Sequence, residues 1–148
     1  MSSELTQEEL GAYFALVTAG DLVQRAVSAQ FSEHGLTPLQ FSVLAQLHDA
    51  PRGLRMSDLA DVLVVSRSGL TYQITQLEKA GLVERVSSVT DNRGVVARLT
   101  PAGRDRVRET LPGHVDLVRK NFVDLLGPRE VASVRTSLEK VVRQLRRS

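Results

Sequence analysis

The chain has 148 residues, 42% hydrophobic and 24% charged with a formal net charge of +2, which suits one compact domain or one domain with an appended interface. It contains no cysteine, so disulfides, thiol redox sensing, zinc–thiolate sites and cysteine nucleophiles are excluded. The apolar run from Leu10 to Val17 is far shorter than the roughly 20 residues a bilayer span needs, and the acidic start lacks the basic region of a signal peptide. A soluble cytoplasmic protein with no membrane partner is therefore expected.

The charge is unevenly placed. The first 36 residues carry Glu4, Glu8, Glu9, Asp21 and Glu33 against Arg25. From Arg52 to Arg108 basic residues outnumber acidic ones, and the C-terminal end is basic again. Such a distribution suits a surface that neutralises phosphates, and it equally suits an ordinary solvated surface.

The first predicted helix runs from about Thr6 to Ser32. Its apolar residues Leu10, Tyr13, Phe14, Leu16, Val17, Val23, Val27 and Phe31 cover more than one face. A helix apolar on several sides is usually buried on several sides, which suggests a partner subunit. Thr37, Pro38 and Gln40 form a cap, first-turn proline and capping-box spacing that start a second helix ending before Pro51. Phe41, Leu44, Ala45 and His48 would share its inner face. A short third helix follows over about 57–63, with Leu59, Ala60 and Leu63 inward. Ser66 then caps a fourth helix to about Ala80, where Leu70, Ile74 and Leu77 form one buried stripe. Gly81 ends it as a helix-terminating glycine.

Two β-rich runs, Leu82 to Val86 and Val95 to Leu99, flank the turn-rich Ser87 to Gly94 and read as a long-looped hairpin. Thr100 and Pro101 restart a helix. Pro112 and Gly113 are expected to kink or interrupt it before it resumes through Val115, Val118, Phe122 and Leu126. Gly127 and Pro128 mark a turn. The last helix places Val131, Val134, Leu138, Val141, Val142 and Leu145 on one stripe between basic flanks, close to a heptad seam. The acidic first helix and the basic last helix could pair within or across subunits.

Helix, short turn, helix and hairpin is the order of a winged helix-turn-helix. The fold class expected is mainly α with a small β-hairpin wing, its DNA-binding lobe over 37–103 and helical dimerisation regions over 1–36 and 104–148. With Leu70, Ile74 and Leu77 inward, the fourth helix presents Ser68, Thr71, Tyr72, Thr75, Gln76 and Lys79 outward, a set suited to base edges and phosphates in a major groove. Arg67, at the helix start, suits a phosphate. An amphipathic helix with a merely solvated polar face would share this pattern; the flanking elements favour DNA.

The run Leu77-Glu78-Lys79-Ala80-Gly81-Leu82-Val83-Glu84-Arg85, then Asp91-Asn92-Arg93-Gly94, then Leu99-Thr100-Pro101-Ala102-Gly103, resembles the MarR family of bacterial transcriptional regulators. The resemblance extends over essentially the whole chain. It implies that Arg93 enters the minor groove from the wing tip and that Asp91 orients the wing by pairing with an arginine. A turn-forming Asp beside a solvated Arg is the ordinary alternative. Glu84 and Arg85 would support the wing rather than read DNA. Many members carry arginine where this chain has Tyr72 and Gln76, which shifts the weight of binding to Arg93 and the phosphates.

The resemblance further implies double-stranded DNA and a second copy of the chain as partners, with two recognition helices in successive major grooves of a pseudo-palindrome. Repression is the expected outcome; activation by the same geometry, or a winged helix used for protein contacts, are the alternatives. A small aromatic or phenolic effector would sit in a cleft lined by Tyr13, Val17, Leu44, His48 and Leu111. His48 could hold a carboxylate, against the ordinary reading of a core-edge histidine bonded to a backbone carbonyl. His34, His48 and His114 lack metal-ligand spacing, so neither a metal nor a cofactor is expected. No nucleophile elbow, phosphate-binding glycine loop or paired-carboxylate motif points to an enzyme.

Overall fold

The computed structural model describes residues 3–87 and 94–148. They fall into two compact units, Met1–Pro112 and Gly113–Ser148. Among the described residues the elements are α1 (Gln7–Ser32), α2 (Pro38–His48), β1 (Leu54–Arg55), α3 (Met56–Leu63), α4 (Arg67–Lys79), β2 (Val83–Ser87), β3 (Val95–Leu99), α5 (Pro101–Asn121), a 3-10 turn (Val123–Leu125) and α6 (Pro128–Arg146). None of the described helices is long and apolar enough to cross a membrane.

Local chemistry sets the starts of the helices. Thr6 and Glu9 form a reciprocal capping box at α1, with backbone-to-side-chain bonds of 2.8 and 3.1 Å. Thr37 and Gln40 do the same at α2, at 3.1 and 3.2 Å. Each box satisfies amide donors that the first helical turn leaves without partners. Ser66 caps α4 by accepting from the Gly69 amide at 3.0 Å.

The core of the first unit joins α1, α2, α3, α4 and the sheet. Phe31 of α1 stacks on Phe41 of α2 with ring centroids 4.4 Å apart. Val43, Leu44 and Leu47 are fully buried beside Leu59, Leu70, Ile74 and Leu77. The stripe expected on α4 is therefore the one buried. Burial of α2 is wider than expected: Val43 and Leu47 are sealed, whereas Ala45 and His48 are only half-buried. The helix runs between neighbours on both sides, so one inward stripe does not describe it.

The sheet is antiparallel in the order β1-β3-β2. β3 pairs with β2 from Val83 opposite Leu99 to Ser87 opposite Val95, and with β1 through Leu54 opposite Ala97. Val83, Ala97 and Leu99 face the core, while Glu84 and Arg98 lie across from one another on the outer face. The strand β1 was not expected from the sequence, because two residues cannot show an alternating pattern.

The link from α4 through the sheet to α5 is tied at Thr100. Its hydroxyl donates to the Gly81 carbonyl at 2.6 Å and accepts from the Gly103 amide at 3.0 Å, while its own amide donates to the Leu82 carbonyl at 3.1 Å. At the other side of this joint α4 ends in a Schellman turn. Gly81 has φ of +77°, and the Leu82 amide reaches back to the Leu77 carbonyl at 3.0 Å. Gly103 is required for a separate reason: a Cβ there would lie 2.0 Å from the Leu82 carbonyl oxygen.

α5 differs from expectation in not being interrupted at Pro112 and in where it ends. It continues through Pro112 without interruption and stops at Asn121, after which Val123–Leu125 form a 3-10 turn. Pro112 and Arg108, whose carbonyl loses its helical donor, both lie on the exposed side, where the vacated acceptor can be solvated. In the second unit Glu130 accepts from the Gly127 amide at 2.9 Å to start α6, and Arg135 pairs with Glu139 one turn on. No described residue of α6 is buried.

Candidate nucleic-acid interface

The fourth helix carries its apolar stripe inward and leaves a continuous face outward. Arg67, Ser68, Thr71 and Tyr72 are exposed, and Thr75 and Gln76 are half-exposed. The structure thus brings these sequence-predicted residues together on one helix face, with Lys79 at its far end. Arg93 and Asp91, assigned to the wing, lie outside the described residues.

The threonine hydroxyls on this face are already engaged. Thr71 Oγ1 donates to the Arg67 carbonyl at 2.8 Å, and Thr75 Oγ1 donates to the Thr71 carbonyl at 2.9 Å. Thr75 Oγ1 also accepts from Arg85 Nη2 at 2.6 Å. Arg85 Nε meets Glu78 Oε1 at 2.8 Å, with both side chains about one-third exposed, at 32% and 34%. One guanidinium on β2 therefore grips two positions of α4 and fixes the base of the wing against the helix. A second ion pair, Arg98 Nε to Glu84 Oε1 at 2.6 Å, joins β3 to β2 at directly opposed positions. Both arginines thus brace the wing, as expected for Arg85. On the side facing α2, Gln40 donates to Gln73 Oε1 at 3.2 Å and holds the middle of α4.

Glu78 as the partner of Arg85 and Gln73 as an anchor were not expected from the sequence. The signal for the first was present: the turn at Gly81 reverses the chain, so residues flanking it at similar separation must come alongside one another. Nothing in the spacing marks the second, because Gln40 lies on a different helix.

The turn before α4 is strained. Val64 adopts the left-handed conformation at φ 56° and ψ 51°, which L-residues with branched Cβ atoms strongly disfavour. Its side chain is largely exposed.

The residues assigned to an effector are dispersed in character. Leu44 is fully buried. Tyr13, Val17 and Leu111 are exposed, and Tyr13 packs on Phe14 with centroids 5.8 Å apart. His48 is half-buried, with Nδ1 3.8 Å from Asp49 Oδ1. A groove of about 390 Å³ lies elsewhere in this unit, lined by Pro51, Pro101 and Leu99 with Glu84, Arg98 and Arg104 at its edge. Among the described residues no group of three or more His, Asp or Glu side chains is placed to hold a metal ion.

A family model described as the MarR family matches residues 34–94. The chain is 30% identical over 129 residues to the HTH-type transcriptional regulator PecS of Dickeya dadantii, covering 84% of this chain and 75% of PecS. Among solved structures it is similar to AbsC, a MarR family transcriptional regulator from Streptomyces coelicolor, with a TM-score of 0.92, 33% identity and coverage of 99% and 100% of the two chains. It is similar also to Sco3205, a MarR family regulator from the same organism solved in complex with DNA, with a TM-score of 0.90, 33% identity and coverage of 98% and 92%.

Proposed function

This chain belongs to the MarR family of transcriptional regulators, and from that premise we propose that it binds a pseudo-palindromic operator as a homodimer and represses transcription there. The observation that carries the reading is the outer face of α4, a polar and aromatic surface clamped to the wing by Arg85 through Glu78 and Thr75. A helix locked in this way enters a major groove as a rigid body, with Thr71, Tyr72 and Gln76 toward the bases and Arg67 and Ser68 toward a phosphate. Asp91 and Arg93 keep the wing roles that the family resemblance gives them. The similarity to Sco3205, which was solved with DNA, supports the same reading.

The dimer is supported by what a single chain leaves uncovered. On α1, Tyr13, Phe14, Leu16, Val17 and Leu22 are all exposed. On α6, Leu138, Val141, Val142 and Leu145 are exposed, with Leu145 at 68%. Large apolar side chains exposed in this number suit a protein partner, and a second copy supplies matching surface by symmetry. Two recognition helices would then address half-sites about 34–36 Å apart, one turn of DNA. A small aromatic or phenolic effector would release the operator by changing that separation. Tyr13, Val17 and Leu111 offer exposed surface to such a molecule, His48 a polar contact, and Leu44 acts only through packing.

Fluorescence anisotropy of the full chain on DNA flanking its own coding region tests the reading. Affinity should fall linearly on logarithmic axes with salt, by roughly 0.9 per phosphate neutralised. Arg93→Ala should weaken binding while the oligomeric state, read by light scattering, is unchanged. Replacing Leu138 and Val142 by Glu should dissociate or unfold the protein. Binding that is absent or indifferent to salt overturns the DNA reading, and a stable monomer that still binds tightly overturns the dimer.

A further inference from the structure

We infer that α4 recognises thymine methyl groups, so that the operator positions under its centre are A·T pairs whose thymine C5-methyls meet Thr71, Tyr72 and Thr75. The inference rests on the DNA reading above and adds the base class that the helix selects.

Charged or amide side chains give the strongest base discrimination, because arginine, lysine, asparagine and glutamine can match the paired edges of guanine or adenine. Between Ser68 and Lys79 the candidates of this kind are Gln73, Gln76 and Glu78. Gln73 is engaged by Gln40 at 3.2 Å, and Glu78 is held by Arg85 at 2.8 Å. Gln76 alone of the three has no such bond among the described residues.

The two threonines are constrained as well. The Thr71 hydroxyl hydrogen is committed to the Arg67 carbonyl at 2.8 Å. The Thr75 hydroxyl both donates, to the Thr71 carbonyl at 2.9 Å, and accepts, from Arg85 at 2.6 Å. A threonine whose Oγ1 is turned back to the carbonyl one turn earlier leaves its Cγ2 methyl as the group free to face outward. Tyr72, between them, is 61% exposed and presents its ring.

The centre of the helix therefore turns methyl and ring carbon outward, and its remaining side-chain donors are the Tyr72 hydroxyl and the Gln76 amide. In the major groove only thymine has a complementary apolar feature at the base edge, its C5-methyl. A G·C pair in the same place would set the O6 and N7 acceptors of its guanine against threonines whose hydroxyl hydrogens are already spent on the helix, which is unfavourable. Gln76 is then suited to the N6 and N7 edge of an adenine in the same tract.

The test begins with the full-length protein and a random duplex library, from which bound sequences are enriched. In the enriched duplex each thymine is replaced singly by deoxyuracil, which removes only the methyl. At two or more adjacent thymines of each half-site Kd should rise about threefold to fivefold, the effect of one buried methyl, whereas thymines outside the half-site centres should change it little. Thr71→Ser keeps the hydroxyl bond to the helix and removes the protein methyl. It should lose a similar factor, and deoxyuracil at the matching thymine should then cost nothing further. Tyr72→Phe, which keeps the ring, should bind within about twofold of the parent. An enriched duplex whose Kd is indifferent to every deoxyuracil overturns the inference while leaving DNA binding intact. A library that yields no enriched sequence overturns the DNA reading itself and favours a protein partner for this face.

Discussion

The Arg85 clamp gives the sharpest quantitative expectation. Its guanidinium makes two charge-assisted contacts with α4, to Glu78 at 2.8 Å and to Thr75 at 2.6 Å, and the ion pair is about two-thirds buried. Exposed ion pairs contribute about 0.2–1 kcal/mol, and truncating one partner of a fully buried pair costs about 3–5 kcal/mol. A pair between those limits should couple by about 1–2 kcal/mol. The double-mutant cycle of Arg85→Met and Glu78→Gln isolates that quantity, since methionine keeps much of the arginine stem and glutamine keeps the shape. Thermal unfolding should lower Tm by roughly 2–4 °C per kcal/mol for a chain of this length. Operator affinity should fall more than stability does, by about tenfold in Arg85→Met, because the wing loses its fixed angle to α4 before the core loosens. High salt should shrink the coupling, as expected of a partly solvated pair. A coupling energy below about 0.3 kcal/mol, within the scatter of independent sites, would refute the clamp as the element that fixes wing to helix.

Three further outcomes are expected. Gly103→Ala forces a Cβ to within 2.0 Å of the Leu82 carbonyl oxygen, so it should destabilise by about 3 kcal/mol or more and lower Tm by roughly 6–12 °C in calorimetry. Val64→Asn relieves a branched residue at φ 56°, and because asparagine tolerates that conformation the variant should unfold at a Tm roughly 2–4 °C higher, with no loss of fold by circular dichroism. Burial holds the His114 imidazole below its ordinary value of 6.5. The unfolded chain then binds more protons than the folded one just below that pH, so stability is complete above 6.5 and declines as pH falls toward the depressed folded value. Melts between pH 7.5 and 5.5 should show this decline, and His114→Gln should flatten part of it.

The parts of the molecule that were legible in the sequence are those set by short-range chemistry. The capping box at Thr37, the glycine stop at Gly81 and the Leu70, Ile74 and Leu77 stripe each depend on residues within one or two turns, and each stands where the sequence placed it. The features that were not legible depend on distant partners. Strand β1 exists because Leu54 pairs with Ala97, and Val43 is buried because α2 is covered on two sides. Pro112 was expected to kink or interrupt α5, and interruption does not occur: the helix runs on through it at an exposed position.

The same distinction decides how the candidate interface is understood. Composition places Thr71, Tyr72, Thr75 and Gln76 on one outward face, and as isolated side chains all four are hydrogen-bonding groups. Folding changes their chemistry without moving them from that face. The helix backbone takes the hydroxyl hydrogens of Thr71 and Thr75, and Arg85 takes a lone pair of the second. A surface that is polar by residue type loses its two threonine donors and turns their methyls outward beside the Tyr72 ring. Arg85, expected only to support the wing, is what couples the two consequences: it holds the wing strand to α4 and it occupies one of the acceptor sites left to Thr75. Its loss should therefore alter which sequences are bound as well as how tightly. The enriched site of Arg85→Met should relax at the position beneath Thr75, and an unchanged consensus would separate wing orientation from base selection.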